Sequence, residues 1–128
     1  MTLPAPGDVL RHRPPALLLA AIEAFDGTTL RSRSIDGGAW AWPRVLEGAA
    51  QSAGLVVGLA TGALSNRAVI AEYRDVVPGA AEVPGPIRFA ARIERRLLHF
   101  WRCRVEARAA DGAVVLRCAV TLAPGPAA

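Results

Sequence analysis

Residues 43–64 read Pro43-Arg44-Val45-Leu46-Glu47-Gly48-Ala49-Ala50-Gln51-Ser52-Ala53-Gly54-Leu55-Val56-Val57-Gly58-Leu59-Ala60-Thr61-Gly62-Ala63-Leu64, and after Arg44 the only charge is Glu47. Proline at the start suits the first turn of a helix, where its missing N–H costs nothing. A helix that is apolar on every face must be enclosed, either by protein or by lipid. The 20 residues from Val45 to Leu64 are long enough to span a bilayer. The rest of the chain argues for protein instead, because it supplies strands with one apolar face, and a single buried helix would cover them. The segment is therefore expected to be the helical core of a fold with no membrane span.

Those strands lie on both sides of the helix. Before it, Ala16 to Phe25 reads as a strand or a short helix and Thr28 to Ile35 as a strand; they flank Asp26-Gly27, a turn signal, so residues 17–35 are expected to form a hairpin. In Leu17 to Phe25 the alternation is broken by Leu18 and Ile22. After Ser65-Asn66 come four strand candidates: Arg67 to Val77, Ile87 to Leu98, Phe100 to Ala109 and Ala113 to Leu122. The first ends at Pro78-Gly79, the connection Val83-Pro84-Gly85-Pro86 leads to the second, and Asp111-Gly112 joins the last two. Ile87, Phe89, Ala91 and Ile93 share one face, and Arg88, Arg92, Glu94 and Arg96 the other. Trp101, Cys103, Val105 and Ala107 alternate with Arg102, Arg104, Glu106 and Arg108 in the same way. Val114, Leu116, Cys118, Val120 and Leu122 make the inner face of the last strand, with Arg117 outward. Antiparallel strands with one apolar face need a single covering layer. The expected fold is α+β: one domain over residues 1–128, a curved antiparallel sheet wrapped around one long buried helix, with an irregular lead-in at residues 1–15.

Composition agrees. The chain has 128 residues, 52% hydrophobic and 20% charged, enough for a core without a metal or disulfide staple. The net charge is +4 and all 15 basic residues are Arg. Without Lys there is no Schiff-base chemistry and no P-loop. The Arg residues are scattered among acids, which argues against nucleic-acid binding. Cys103 and Cys118 cannot alone build a four-ligand zinc site and read as small buried hydrophobes. With two His in all, no metal is expected. The apolar run Leu17 to Ile22 ends at Glu23 and is too short for a secretory signal, so the chain reads as cytoplasmic.

The motifs carry a resemblance. Arg11-His12-Arg13-Pro14-Pro15-Ala16-Leu17-Leu18-Leu19 resembles the Pro-His-Arg-x-Pro-x-Leu-Leu-Leu opening of the 3-hydroxyacyl-[acyl carrier protein] dehydratases. Val45-Leu46-Glu47-Gly48-Ala49-Ala50-Gln51 resembles that family's helix motif Leu-x-x-Glu-x-x-Ala-Gln. Tyr73-Arg74-Asp75-Val76-Val77-Pro78-Gly79 sits where the family has a strand ending in Val-x-Pro-Gly, and Asp111-Gly112 matches its final hairpin. The resemblance implies the hot-dog fold, a dimer, and 3-hydroxyacyl thioesters on acyl carrier protein in fatty-acid or polyketide-type biosynthesis, with no cofactor. One departure stands out. The family's catalytic His comes from a Gly-His-Phe-Pro loop before the helix, whereas Leu30 to Trp42 here reads LRSRSIDGGAWAW and contains no His. The chain is in this respect similar to His-poor dehydratase-like proteins of aryl-polyene and related polyketide-type clusters.

Dehydration of a 3-hydroxyacyl thioester needs a base for the C2 proton and an acid for the departing hydroxyl. In the resembled family a His and a Glu from different subunits divide these roles. Glu47 matches the Glu, and burial in an apolar helix would keep it protonated and able to donate. Gln51, at i+4, shares its face and could orient it. The alternative is an ordinary ion pair of Glu47 with Arg44 at i−3. His12 is a possible substitute base, and His99 reads as a turn residue. Trp40 and Trp42 stand where the catalytic loop would be, either plugging that space or lining an acyl tunnel. The outward Arg face, or Arg11 and Arg13, could steer an acidic carrier protein, or the face could simply be a solvated exterior. The expected function is a dehydratase-like protein that acts on or binds carrier-bound acyl thioesters, as a homodimer or with a His-containing hot-dog subunit. The alternatives are a non-catalytic acyl-binding or scaffold module and a hot-dog thioesterase.

Overall fold

A computed structural model describes residues 2–10, 12–14, 16–62, 68–79 and 82–124. Its elements run α1 (Pro6–Val9), β1 (Leu19–Phe25), β2 (Thr29–Ser34), β3 (Ala39–Ala41), α2 (Trp42–Thr61), β4 (Ala68–Pro78), β5 (Glu82–Pro84), β6 (Arg88–Leu97), β7 (Phe100–Arg108) and β8 (Val114–Pro124). Six strands form one antiparallel sheet in the order β1-β2-β6-β7-β8-β4, and β3 pairs with β5 in a separate two-stranded ribbon.

Helix α2 starts with Pro43 in its first turn and stops where Gly62 adopts the left-handed conformation, φ 62°. The expected extension through Ala63 and Leu64 lies outside the described residues, as do Arg11, Pro15, Ser65, Asn66 and the strand residue Arg67. Every residue of α2 from Gly48 to Gly58 is buried. Its small side chains let the sheet close in. At Gly48 a Cβ would sit 2.6 Å from Cζ of Phe89, whose ring is 1% exposed. Among the described residues no helix is long and apolar enough to cross a membrane.

The sheet supplies the rest of the core. Phe89 and Ala91 from β6, Cys103, Val105 and Ala107 from β7, and Leu116, Cys118, Val120 and Leu122 from β8 all face inward and are buried. The alternation missing from residues 17–25 has a physical cause. Register shifts between Leu19 and Ala21, and again between Ile22 and Ala24, reset which residue points inward. A bulge of this kind lets Leu19 and Ile22 both reach the core. The turn at Asp26-Gly27 is held by the Asp26 carboxylate, which accepts the N–H groups of Thr28 and Thr29 at 2.8 and 2.7 Å. These bonds hold the carboxyl below the usual carboxylate range.

Three expectations need correction. The lead-in is not wholly irregular, because Pro6–Val9 form one helical turn in which proline takes an early position. The segments before α2 and at residues 83–86 are not plain connections. Each contributes a strand to the β3–β5 ribbon, where Trp40 is paired with Val83. The last strand buries Val115 and Ala119 as well as Leu116, Cys118, Val120 and Leu122, whereas Val114 is only partly buried, and Ala119 lies in register between Arg104 and Arg74. Long Arg side chains flanking a short one cover it from solvent.

Candidate functional site

The site residues gather at the start of α2, where the opening segment crosses the helix. Gln51 is the anchor and is 2% exposed. Its Oε1 accepts the Leu18 N–H at 2.9 Å, and its Nε2 donates to the Ala16 carbonyl at 2.8 Å. One amide thus satisfies a donor and an acceptor of the strand entry, where the Leu18 carbonyl already accepts the Ile35 N–H at 2.8 Å. The same Nε2 reaches Oε1 of Glu47 at 3.4 Å, one turn earlier on α2. Replacing Gln51 with Leu would orphan both backbone groups, at about 1–3 kcal/mol each. The expected loss is about 2–6 kcal/mol in urea unfolding; a change below about 0.5 kcal/mol would mean that the amide is not a structural tie.

Glu47 itself is not buried. Its side chain keeps 50% of its exposure in the single chain, which corrects the expectation of a carboxyl enclosed in the helical core. The reason is helical geometry: Gly48 turns toward Phe89 of the sheet, while position 47 turns out beside the lead-in. The ion pair with Arg44 does not form either. Arg44 instead donates to the carbonyls of Gly37 at 2.7 Å and Ala39 at 3.3 Å, with its guanidinium 4.0 Å from the Trp40 ring centre. The side chain beside Glu47 is instead His12, whose Nε2 is 3.8 Å from Glu47 Oε1. His12 Nδ1 is buried and has no hydrogen-bond partner among the described residues. Tyr73, on β4, joins this group. Burial, and then the negative charge of Glu47, pushes its hydroxyl above the ordinary range. The sequence gives no signal for that neighbour beyond its being the only Tyr.

Trp40 and Trp42 separate. Trp40 is 1% exposed and donates from Nε1 to the Asp36 carbonyl at 2.9 Å. The backbone just after β5 approaches so closely that a Cβ at Gly85 would collide with that carbonyl and the indole nitrogen. The indole therefore fills the space between β2 and the ribbon. Trp42 is 44% exposed at the first turn of α2. His99 lies in the turn between β6 and β7, far along the chain from Glu47. Burial pushes the Cys103 thiol up to about 12 and the Cys118 thiol up to about 11, so both are neutral packing groups rather than nucleophiles. Among the described residues no three His, Cys, Asp or Glu side chains come together in a way that could hold a metal ion.

No family model matches the chain, and no curated protein matches it in sequence. Solved structures do match in shape. A chain of the dehydratase heterocomplex ApeI:P from Xenorhabdus doucetiae superposes with a TM-score of 0.84 at 13% identity, covering 98% of this chain and 93% of that one. The conserved protein PA5202 from Pseudomonas aeruginosa gives 0.72 at 19% identity, over 94% of this chain and 99% of its own. The thioesterase HI1161 from Haemophilus influenzae gives 0.65 at 12% identity, over 80% and 76%. At these identities the likeness establishes the fold, a hot-dog domain with its sheet wrapped around one long helix.

Proposed function

We propose that this chain is a dehydratase-like hot-dog subunit that binds 3-hydroxyacyl thioesters carried on acyl carrier protein. It contributes Glu47 as the acid, and a partner subunit contributes the His. The observation that carries this reading is the setting of Glu47. Its carboxylate is half-exposed, with one oxygen approached by Gln51, near Tyr73 of β4. Strand β4 is a sheet edge, and Val69, Ile70, Tyr73 and Val77 are exposed along it. An open edge with apolar side chains is a template for pairing with another strand. A second hot-dog subunit paired there would desolvate Glu47 and bring its own loop to face it. The segment from Leu30 to Trp42 offers no base of its own, and His12, 3.8 Å from Glu47, sits beside the acid itself; the base for the C2 proton is assigned to the partner subunit. The structural match to a chain of a dehydratase heterocomplex supports a mixed pair.

Thioester hydrolysis is the second reading, favoured by the access of water to the Glu47 carboxylate. One experiment separates the two. The protein is incubated with a 3-hydroxyacyl carrier protein, alone and mixed with a His-containing hot-dog dehydratase, and the enoyl and free-acid products are quantified. Sedimentation is run on the same samples. The expected result is a dimer at micromolar concentration, with enoyl product from the mixture and little from the chain alone. Strong dehydration by the chain alone would overturn the division of labour. Free acid as the main product would establish the hydrolase reading, and a monomer would remove the edge-pairing argument.

A further inference from the structure

The outer face of the sheet carries an arrangement of like charges that the Glu47 site does not use. Strand register sets Arg92 of β6 directly opposite Arg104 of β7, and Arg88 opposite both Arg108 of β7 and Arg33 of β2. Like charges directly opposite each other destabilise a sheet. Some are neutralised within the face. Arg88 and Arg33 pair with Glu23 at 3.1 and 3.6 Å, Arg104 with Glu94 at 2.8 Å and Asp75 at 3.7 Å, and Arg108 and Arg117 with Glu106 at 2.6 and 2.9 Å. Arg92 makes no ion pair or side-chain hydrogen bond among the described residues. Its lateral neighbours are Thr29 and Arg104.

The face is also locally indented. Two depressions of about 290 and 260 Å3 adjoin at Ala90 and Glu106, which line both. Ala90 stands where a longer side chain would fill the groove. The walls carry six Arg (31, 88, 92, 104, 108 and 117) against Glu23 and Glu106.

We propose that this groove on the outer sheet face is a docking surface for an acidic protein segment, with Arg92 and Arg104 as its central contacts. Charge complementarity selects the occupant. Guanidinium groups bind carboxylates in bidentate fashion, and a partner carboxylate beside Arg92 would supply the counter-charge that it lacks while sharing Arg104 with Glu94 and Asp75. The two acids in the groove weaken its fit to a uniform polyphosphate and suit a protein partner of mixed charge. The inference concerns a face separate from Glu47 and does not depend on the reaction proposed above.

The test uses the full chain and a fluorescein-labelled oligo-glutamate peptide, with an oligothymidylate of equal charge for comparison. Binding is followed by anisotropy from 50 to 300 mM NaCl. The peptide is expected to bind, with affinity falling as salt screens the contacts. Arg92→Thr with Arg104→Thr should weaken it at least about tenfold, and Arg92→Lys should weaken it less. Arg92→Thr alone should raise Tm by about 1–2 °C, because it removes a repulsive pair. Three results would overturn the proposal: no peptide binding, binding indifferent to both substitutions, or tighter binding of the oligothymidylate. A salt-resistant tetramer dispersed by Arg92→Glu would also overturn it, since the face would then be covered by a second copy.

Discussion

In a mixed dimer with a His-bearing subunit, Glu47→Gln is expected to lower the dehydration rate by about 100- to 10,000-fold, the usual penalty for removing one member of an acid–base pair. The amide keeps the shape of the side chain and its contact with Gln51 but cannot deliver a proton. Substrate affinity should change little, so the loss should appear in kcat rather than KM. Stability should barely move. A side chain that is 50% exposed, with His12 at 3.8 Å, contributes no more than a surface pair, so the expected change is within about 0.5 kcal/mol. A large loss of stability together with the activity would mean that Glu47 is held in the subunit interface as a structural group. Urea unfolding of the variant beside the rate measurement distinguishes the two outcomes.

Phe89→Ala carries the largest expected effect on folding, about 3–5 kcal/mol, because the ring fills the gap that Gly48 leaves between β6 and α2. Natural domains are stable by only about 5–15 kcal/mol, so this one change removes a sizeable share. The contact also predicts a change of sign. In the wild type, Gly48→Ala should destabilise, since its Cβ would lie 2.6 Å from a ring atom that has nowhere to go. In the Phe89→Ala background the same change should stabilise by about 1 kcal/mol, because Ala is the better helix former and the cavity has room. Four urea melts check this. Additive effects would mean that the helix and sheet do not meet at that point.

The architecture was legible because each strand after the helix carries its own period. Ile87 to Ile93 and Trp101 to Ala107 alternate cleanly, Val114 to Leu122 does so apart from Val115 and Ala119, and residues 45–61 have no polar face. The residues that misled are those whose place depends on non-local contacts. Residues 17–25 look patternless because two register shifts reset their alternation. Ala39–Ala41 and Glu82–Pro84 are too short to show a period and are strands only because they meet each other. At the site, the i+4 spacing placed Gln51 below Glu47, but spacing alone could not show that Gln51 spends its amide on Leu18 and Ala16. Nor could it show that Arg44 turns away toward Gly37 and Trp40. The approach of His12 and Tyr73 to Glu47 comes from the packing of the opening segment and β4 on the helix, which no local motif encodes.

The central claim is that this chain supplies Glu47 to a site completed by another subunit, and complementation tests it most directly. A His-containing hot-dog dehydratase whose own catalytic Glu has been replaced by Gln is inactive by design but still presents its His. Mixing it with the wild-type chain should restore enoyl formation, and mixing it with the Glu47→Gln chain should not. Restoration by both chains, or by neither while a mixed dimer is seen in sedimentation, would contradict the account.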